Sequence, residues 1–502
     1  MPSGRRRHHG VPFLVMSSVG SPEAAELIQQ AARDLPRERR VFVNRNLRMS
    51  SIEMIGFDMD YTLAVYRQEE VQRLSVAETV RKLVTKKGFP AEIAALVYDP
   101  TFAIRGLCVD TRNGNLFKMD RHGHVGRVVH GMTPLDRSQR RALYHQRGLR
   151  PRPPRYAWVD HLFALPEGAI FARLVDWFDA RGATDYAQLW QDIRECIDEV
   201  HRDESLKSEI KAHPDRYLQR DPDLAATLHN FRSAGKRLFL LTNSLLDYTD
   251  PLMSYLLDGQ LQPYPSWRNY FDIVVVGAKK PQFFTGRTPF AELDATGRTL
   301  EARGPFARGR VYEGGNLADF EAMAGVGGDR VLYVGDHIYG DMLRSKKSSA
   351  WRTALIVQEL EDEVRLMAKL GDRMERLADL EQARAQLDSE LAGQQNLLKA
   401  LQRSPNGGGV DLAKRQAKEK LDGMRAALRK VLDEADAIEQ AVDRTFNPHW
   451  GALFRQGNEN SKFGAQVEDY ACVYTGRVSN FLWYSPVAYF RAPRDHMPHE
   501  MG

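Results

Sequence analysis

Five short apolar runs punctuate the chain: IEMIGFD (Ile52 to Asp58), RLFLLTN (Arg237 to Asn243), DIVVVGA (Asp272 to Ala278), RVLYVGD (Arg330 to Asp336) and RTALIV (Arg352 to Val357). Continuous apolar runs of this length suit strands buried on both faces, and helical patterns such as PDLAATLHNFRSAG lie between them. That alternation predicts an α/β fold with a doubly wound, Rossmann-like parallel sheet. Four of the five runs end on polar or reactive residues, where such sheets place their ligands.

About 180 residues separate the first two runs, far more than an ordinary α/β connection. This stretch carries the helical patterns AIFARLVDWFDARG and YAQLWQDIRECIDEVHRD and a turn-rich DTRNGNLFKMDRHGHV that reads as a hairpin. It is expected to form an inserted α+β cap over the strand ends. Beyond Val357 the composition turns to Leu, Ala, Glu, Arg and Gln. Leu421, Met424, Leu428, Val431, Ala435, Ile438 and Val442 alternate spacings of three and four, and a looser version runs from Leu370 to Leu401. With the break at SPNGGGVD, this predicts an antiparallel helical hairpin, a structural arm or subunit contact. The expected division is a lead-in at 1–45, a catalytic core at 46–66 and 219–357, the cap at 67–218, the hairpin at 358–446 and an aromatic-rich segment, 447–502, packing back on the body.

Lys and Arg exceed Asp and Glu by 71 to 66, too slight an excess to argue for a nucleic-acid partner. No run approaches the roughly 20 apolar residues of a membrane span. VPFLVM near the N-terminus is shorter than a signal-peptide core and reads as part of a flexible tail. Cys108, Cys196 and Cys472 are odd in number and far apart, which supports neither a disulfide framework nor a CxxC metal site and suits a cytoplasmic protein.

The chemistry gathers at the strand ends. Asp58 and Asp60 form D-x-D-x-T with Thr62. If the strand continued, both would point the same way, crowding two like charges unless a cation sat between them. A carboxylate can attack phosphorus to form an aspartyl phosphate, and a second one two residues on can protonate the leaving oxygen. Thr242 and Asn243 close the second strand, where a hydroxyl and the following turn can hold phosphate. GAKKPQFF offers Lys279 or, favoured, Lys280 for charge neutralisation. Asp336 and Asp341 after the fourth strand complete a hard-oxygen set suited to Mg²⁺. Each element alone has a structural explanation, as a turn, a helix cap or solvated surface. Their recurrence at successive strand ends favours phosphoryl transfer.

These motifs resemble the haloacid-dehalogenase superfamily and, within it, the cytosolic purine 5'-nucleotidase family that prefers inosine and guanosine monophosphates. The matching segments are GFDMDYTLAVY, TFAIRGLCVDTRNGNLFKMD, LLTNSLLDYTD, GAKKPQFF, YVGDHIYGDMLRSKK, AWRTALIV and the terminal HMPHE. The resemblance implies Asp58 as nucleophile, Asp60 as acid/base and, through its backbone oxygen, a contributor to the metal site, Thr242 and Lys280 on phosphate, and Asp336 and Asp341 at Mg²⁺. It implies a purine nucleoside monophosphate substrate and an effector nucleotide near Arg105, Asn115, Tyr339 and Lys347; a homo-oligomer is expected. Another phosphomonoesterase, for example one for sugar phosphates, would share the four elements. A non-catalytic scaffold using the hairpin is the alternative of another class. A dehalogenase would not need Asp60.

Overall fold

The five apolar runs become adjacent parallel strands: β1 (Met54–Phe57), β2 (Arg237–Leu241), β3 (Ile273–Val276), β4 (Val331–Gly335) and β5 (Arg352–Ile356), ordered β5-β4-β1-β2-β3. The computed structural model describes residues 35–144, 148–182, 184–294, 297–302, 304–343, 349–403, 408–494 and 500. Alternate side chains enter two different hydrophobic clusters. Ile55, Phe57, Leu238 and Leu240 join one, and Met54, Phe239, Leu241 and Tyr333 join the other, so both faces of the sheet are covered. Gly56 is required in β1, since a Cβ there would lie 2.0 Å from the Phe239 ring.

Among the described residues the sheet has ten strands and reaches beyond the expected core segments. Phe42–Val43 and Val473–Thr475, from the lead-in and the C-terminal segment, extend it past β5. Val311–Gly314 adds a parallel strand beside β3, followed by antiparallel Phe290–Leu293 and Thr299–Glu301. The chain runs outward from β1 through β2 and β3 and then returns to β4 on the opposite side of β1. The order therefore reverses between β1 and β4, the crevice where α/β sheets bind ligands.

Among its described residues the inserted stretch builds its own antiparallel sheet of five strands, including Leu107–Asp110, Asn115–Met119, Val125–His130 and Tyr156–Val159. The helices Leu165–Asp179 and Tyr186–Arg202 follow. A two-stranded ribbon, Val65–Tyr66 with Leu218–Gln219, joins the points where this insertion leaves and re-enters the core. After β5 come helix Leu360–Lys369 and the long helices Gly371–Arg403 and Gly408–Phe446. Arg376 near the start of one long helix pairs with Glu434 late in the other, so they run antiparallel. The first half of the predicted break, 404–407, lies outside the described residues, as does most of HMPHE, and the second half of the break begins helix Gly408–Phe446. Cys108, Cys196 and Cys472 are buried free thiols. Among the described residues no helix is long and apolar enough to cross a membrane.

Candidate active site

β1 stops at Phe57, and the register Phe57↔Val334 sets Asp58 beside the end of β4. Asp58 donates its backbone N–H to Val334 O (2.9 Å) and accepts from Met59 N at its own Oδ1 (2.8 Å). The chain then turns through Tyr61, whose φ is +55°. The two aspartates therefore do not continue a strand face. The Asp60 carboxylate accepts from Tyr66 (2.6 Å) and from Ser244 (2.8 Å). The like charge acting most strongly on Asp58 is Asp341, with Asp60 second.

Asp58, Asp336 and Asp341 are all buried, and one oxygen from each lies within 4.8 Å of the others. The Asp60 carboxylate is outside this group, held instead by its two hydroxyl donors. Lys280 lies among the acids, its Nζ 2.9 Å from Asp58 Oδ2 and 2.8 Å from both Asp341 Oδ1 and the Tyr333 hydroxyl. Tyr333 in turn donates to Leu241 O (3.0 Å), which anchors the lysine between β4 and β2. Gly335 is needed here because a Cβ would sit 2.5 Å from Asp341 Oδ2.

Three carboxylates against one ammonium leave this buried set short of positive charge. Burial, with Asp341 adding to it, pushes the Asp58 carboxyl up to about 7 against the pull of Lys280. Asp336 is driven well above the carboxylate range by burial and then by Asp341 and Asp58. Burial opposes the Lys280 ammonium, yet Asp341 and Asp58 hold its pKa well above that of an ordinary lysine. A divalent cation bound by oxygen would remove the imbalance, and the three acids offer hard oxygen donors only.

Thr242 and Asn243 follow β2 as expected, but their side chains have structural work. Thr242 is buried, and its Oγ1 accepts from Ser244 N (3.1 Å), leaving the hydroxyl hydrogen to donate elsewhere. Asn243 is exposed. Its amide grips the Lys280 backbone at both ends, Nδ2 to O at 3.0 Å and Oδ1 from N at 2.5 Å. It thus fixes the loop that carries Lys280. Tyr66, Ser244 and Tyr333 were not singled out from sequence. Their one legible signal was a hydroxyl in or beside a buried run, where it must find a partner.

Of the residues expected around an effector, the side chains of Arg105 and Asn115 are described. Arg105 is buried against Glu359, the Asp336 carbonyl and the Phe463 ring. Asn115 lies at the far end of strand Leu107–Asp110, paired with Asp110 across the hairpin and bonded to Tyr144 and His130. Tyr339 belongs to the π-helical turn Ile338–Leu343; its side chain and Lys347 lie outside the described residues.

The insertion closes over the strand ends. Phe163 meets Tyr61 at 4.6 Å between ring centroids and His201 at 5.4 Å, while His161 meets His337 at 5.2 Å. Among the described residues, Tyr61 Oη, His201 Nε2 and His337 Nε2 are buried there without a hydrogen-bond partner. Aromatic faces beside unsatisfied polar atoms make a wall suited to a planar polar group.

A parallel sheet with buried acids and a lysine converging at its switch point, under an inserted cap, has the layout of a haloacid-dehalogenase-type phosphatase. The chain belongs to the 5' nucleotidase family, whose model matches residues 41–502, and it is a phosphomonoester hydrolase. A 5'-nucleotidase domain-containing protein of Dictyostelium discoideum is 30% identical over 475 residues, 92% of this chain and 74% of that protein. The human 5'-nucleotidase domain-containing protein 2 is 30% identical over 496 residues, 96% of this chain and 89% of its own length. Among solved structures, a HAD phosphatase from Thermococcus onnurineus matches at 14% identity and a TM-score of 0.27, over 61% of this chain and 87% of that one.

Proposed function

We propose that the protein is a Mg²⁺-dependent 5'-nucleotidase releasing phosphate from purine nucleoside 5'-monophosphates through an aspartyl phosphate on Asp58. The observation that carries this reading is the convergence of Asp58, Lys280, Asp336 and Asp341 in one buried site. Asp58, Asp336 and Asp341 would hold the ion. When bound, Mg²⁺ would offset the charge of the carboxylates and of the phosphate.

An Asp58 oxygen attacks phosphorus, and the bond from phosphorus to the 5'-oxygen breaks. Asp60 gives its proton to that departing oxygen. Burial raises the Asp60 pKa, against the hydrogen bonds from Tyr66 and Ser244, which favours the protonated form this step needs. Water then attacks the acyl phosphate and passes a proton to Asp60, restoring both carboxyl groups. Lys280 balances the phosphate charge, and the Thr242 hydroxyl, which accepts from Ser244 N, would donate its own hydrogen to it. Phe163, Tyr61 and His201 are suited to receive the base.

A phosphate-release panel over nucleoside and sugar monophosphates, with and without Mg²⁺, tests this reading. Turnover confined to purine 5'-monophosphates and dependent on Mg²⁺ is expected. Preference for sugar phosphates would move the activity to another phosphomonoester, and no release from any substrate would favour the scaffold. A nucleoside hydroxyl could open the acyl phosphate in place of water. Labelled-phosphate transfer to inosine measures that branch.

A further inference from the structure

Arg105 enters from the insertion, just before strand Leu107–Asp110, yet its guanidinium lies in the core. It is 1% exposed, its Nη1 donates to Asp336 O at 3.1 Å, and Nε and Nη2 hold Glu359 Oε1 and Oε2 at 2.9 and 2.6 Å. Its plane lies over the Phe463 ring, 4.7 Å from the centroid. Glu359 stands at the head of helix Leu360–Lys369. Its neighbour Gln358 donates to Tyr61 O (3.3 Å), in the loop after β1. Two consecutive residues beyond β5 therefore grip both loops that carry acids, one directly and one through Arg105.

We infer that Arg105 and Glu359 form a positioning pair for the metal site, setting the Asp336 backbone and so the angle at which its carboxylate meets Asp58 and Asp341. This rests on the Mg²⁺ reading above. Asp336 lies beyond the end of β4, past the strand pairing that fixes Gly335 against Leu355, so its carbonyl needs another donor. A guanidinium can donate to that carbonyl from one nitrogen while presenting a two-point fork to Glu359. A lysine ammonium, as a point charge on a flexible stem, cannot hold both in fixed geometry. Outer partners that orient a metal ligand in this way typically govern about 10- to 100-fold in metal affinity.

The test is Mg²⁺ titration by calorimetry, without nucleotide, on the wild-type protein and on Arg105→Lys and Glu359→Gln. Nucleotide KM and the melting temperature in EDTA are measured alongside. Expected is a ~10- to 100-fold weaker Mg²⁺ affinity for Arg105→Lys and about tenfold for Glu359→Gln, with nucleotide KM at saturating Mg²⁺ within about twofold. A purely structural rivet would lower the melting temperature and leave Mg²⁺ affinity unchanged, and that result overturns the inference. Should Arg105→Lys not fold, Glu359→Gln decides alone, because it keeps the arginine in place. Wild-type protein that binds Mg²⁺ but releases no phosphate would overturn the nucleotidase reading and leave this inference standing. Wild-type protein that binds no Mg²⁺ would overturn both.

Discussion

The Tyr66 hydroxyl lies 2.6 Å from Asp60 Oδ1 and 3.0 Å from the Tyr248 hydroxyl, so the carboxyl assigned to proton transfer is held by a chain of buried phenols. A hydrogen bond to a charged group is worth about 1.5–3 kcal/mol, or roughly 10- to 100-fold in a rate that depends on it. Tyr66→Phe is therefore expected to lower kcat by about tenfold or more, with a smaller change in nucleotide KM. Tyr248→Phe keeps the bond to Asp60 and should cost much less. Steady-state phosphate release by the two variants checks the ranking.

Removing Asp58 separates chemistry from folding. Asp58→Asn should abolish turnover, since an amide neither attacks phosphorus nor leaves as a carboxylate. It also takes one charge from a buried set of three acids and one lysine, while Lys280 keeps its contact with Asp341. Stability in EDTA should therefore match or exceed that of the unaltered protein. Thermal unfolding in EDTA together with an activity assay tests both halves. Retained turnover would move the nucleophile elsewhere.

How much of this site was legible along the chain follows from how local each interaction is. β1 to β5 showed themselves because burial on both faces leaves continuous apolar runs, and the acids stood out because charge at the end of such a run needs a reason. Strand Val311–Gly314 was missed: it holds only Val311 and Tyr312 as buried residues before Glu313 and Gly314. Strand Val473–Thr475 is three residues long and hidden among aromatics. The supporting contacts were beyond reach for another reason. Tyr333 lies 53 residues from Lys280, Ser244 184 from Asp60, and Arg105 254 from Glu359. The grip of Asn243 on the Lys280 backbone was hidden because that partner carries no side-chain signature.

Metal should stabilise the fold through the same three acids. Ligand at 100 times its Kd contributes about 2.7 kcal/mol when only the native state binds. Mg²⁺ should thus raise the melting temperature of the unaltered protein over that in EDTA, and Asp341→Asn should remove most of that rise. Equal shifts in both proteins would place the ion somewhere other than these carboxylates.

Gly335 gives a sharper test of geometry. An alanine Cβ there would lie 2.5 Å from Asp341 Oδ2, and the cheapest relief is to push that carboxylate away from Lys280 and its neighbouring acids. Gly335→Ala should therefore lose most activity and Mg²⁺ affinity for a modest stability loss of about 1–3 kcal/mol. Gly56→Ala meets the Phe239 ring instead, at 2.0 Å, and should show the reverse balance, with lower stability and a less affected metal affinity. Urea unfolding and Mg²⁺ titration on the pair distinguish the two kinds of strain.

Glu167 supplies a pH dependence away from the site. It is 2% exposed and both its oxygens lie 2.7 Å from Arg194 Nη1. Burial pushes its carboxyl up from 4.5 to about 7, outweighing the arginine. Because the folded value lies above the unfolded one, its contribution is fully present below about pH 4.5 and is lost as pH rises through 7. Glu167→Gln removes this titration. Relative to wild type, the variant should be less destabilised, or more stable, at pH 8 than at pH 5, by up to about 3 kcal/mol. Denaturant unfolding at the two pH values reads the difference. A variant whose deficit is the same at both would mean that Glu167 stays ionised beside Arg194 across the range, its burial compensated by that one ion pair.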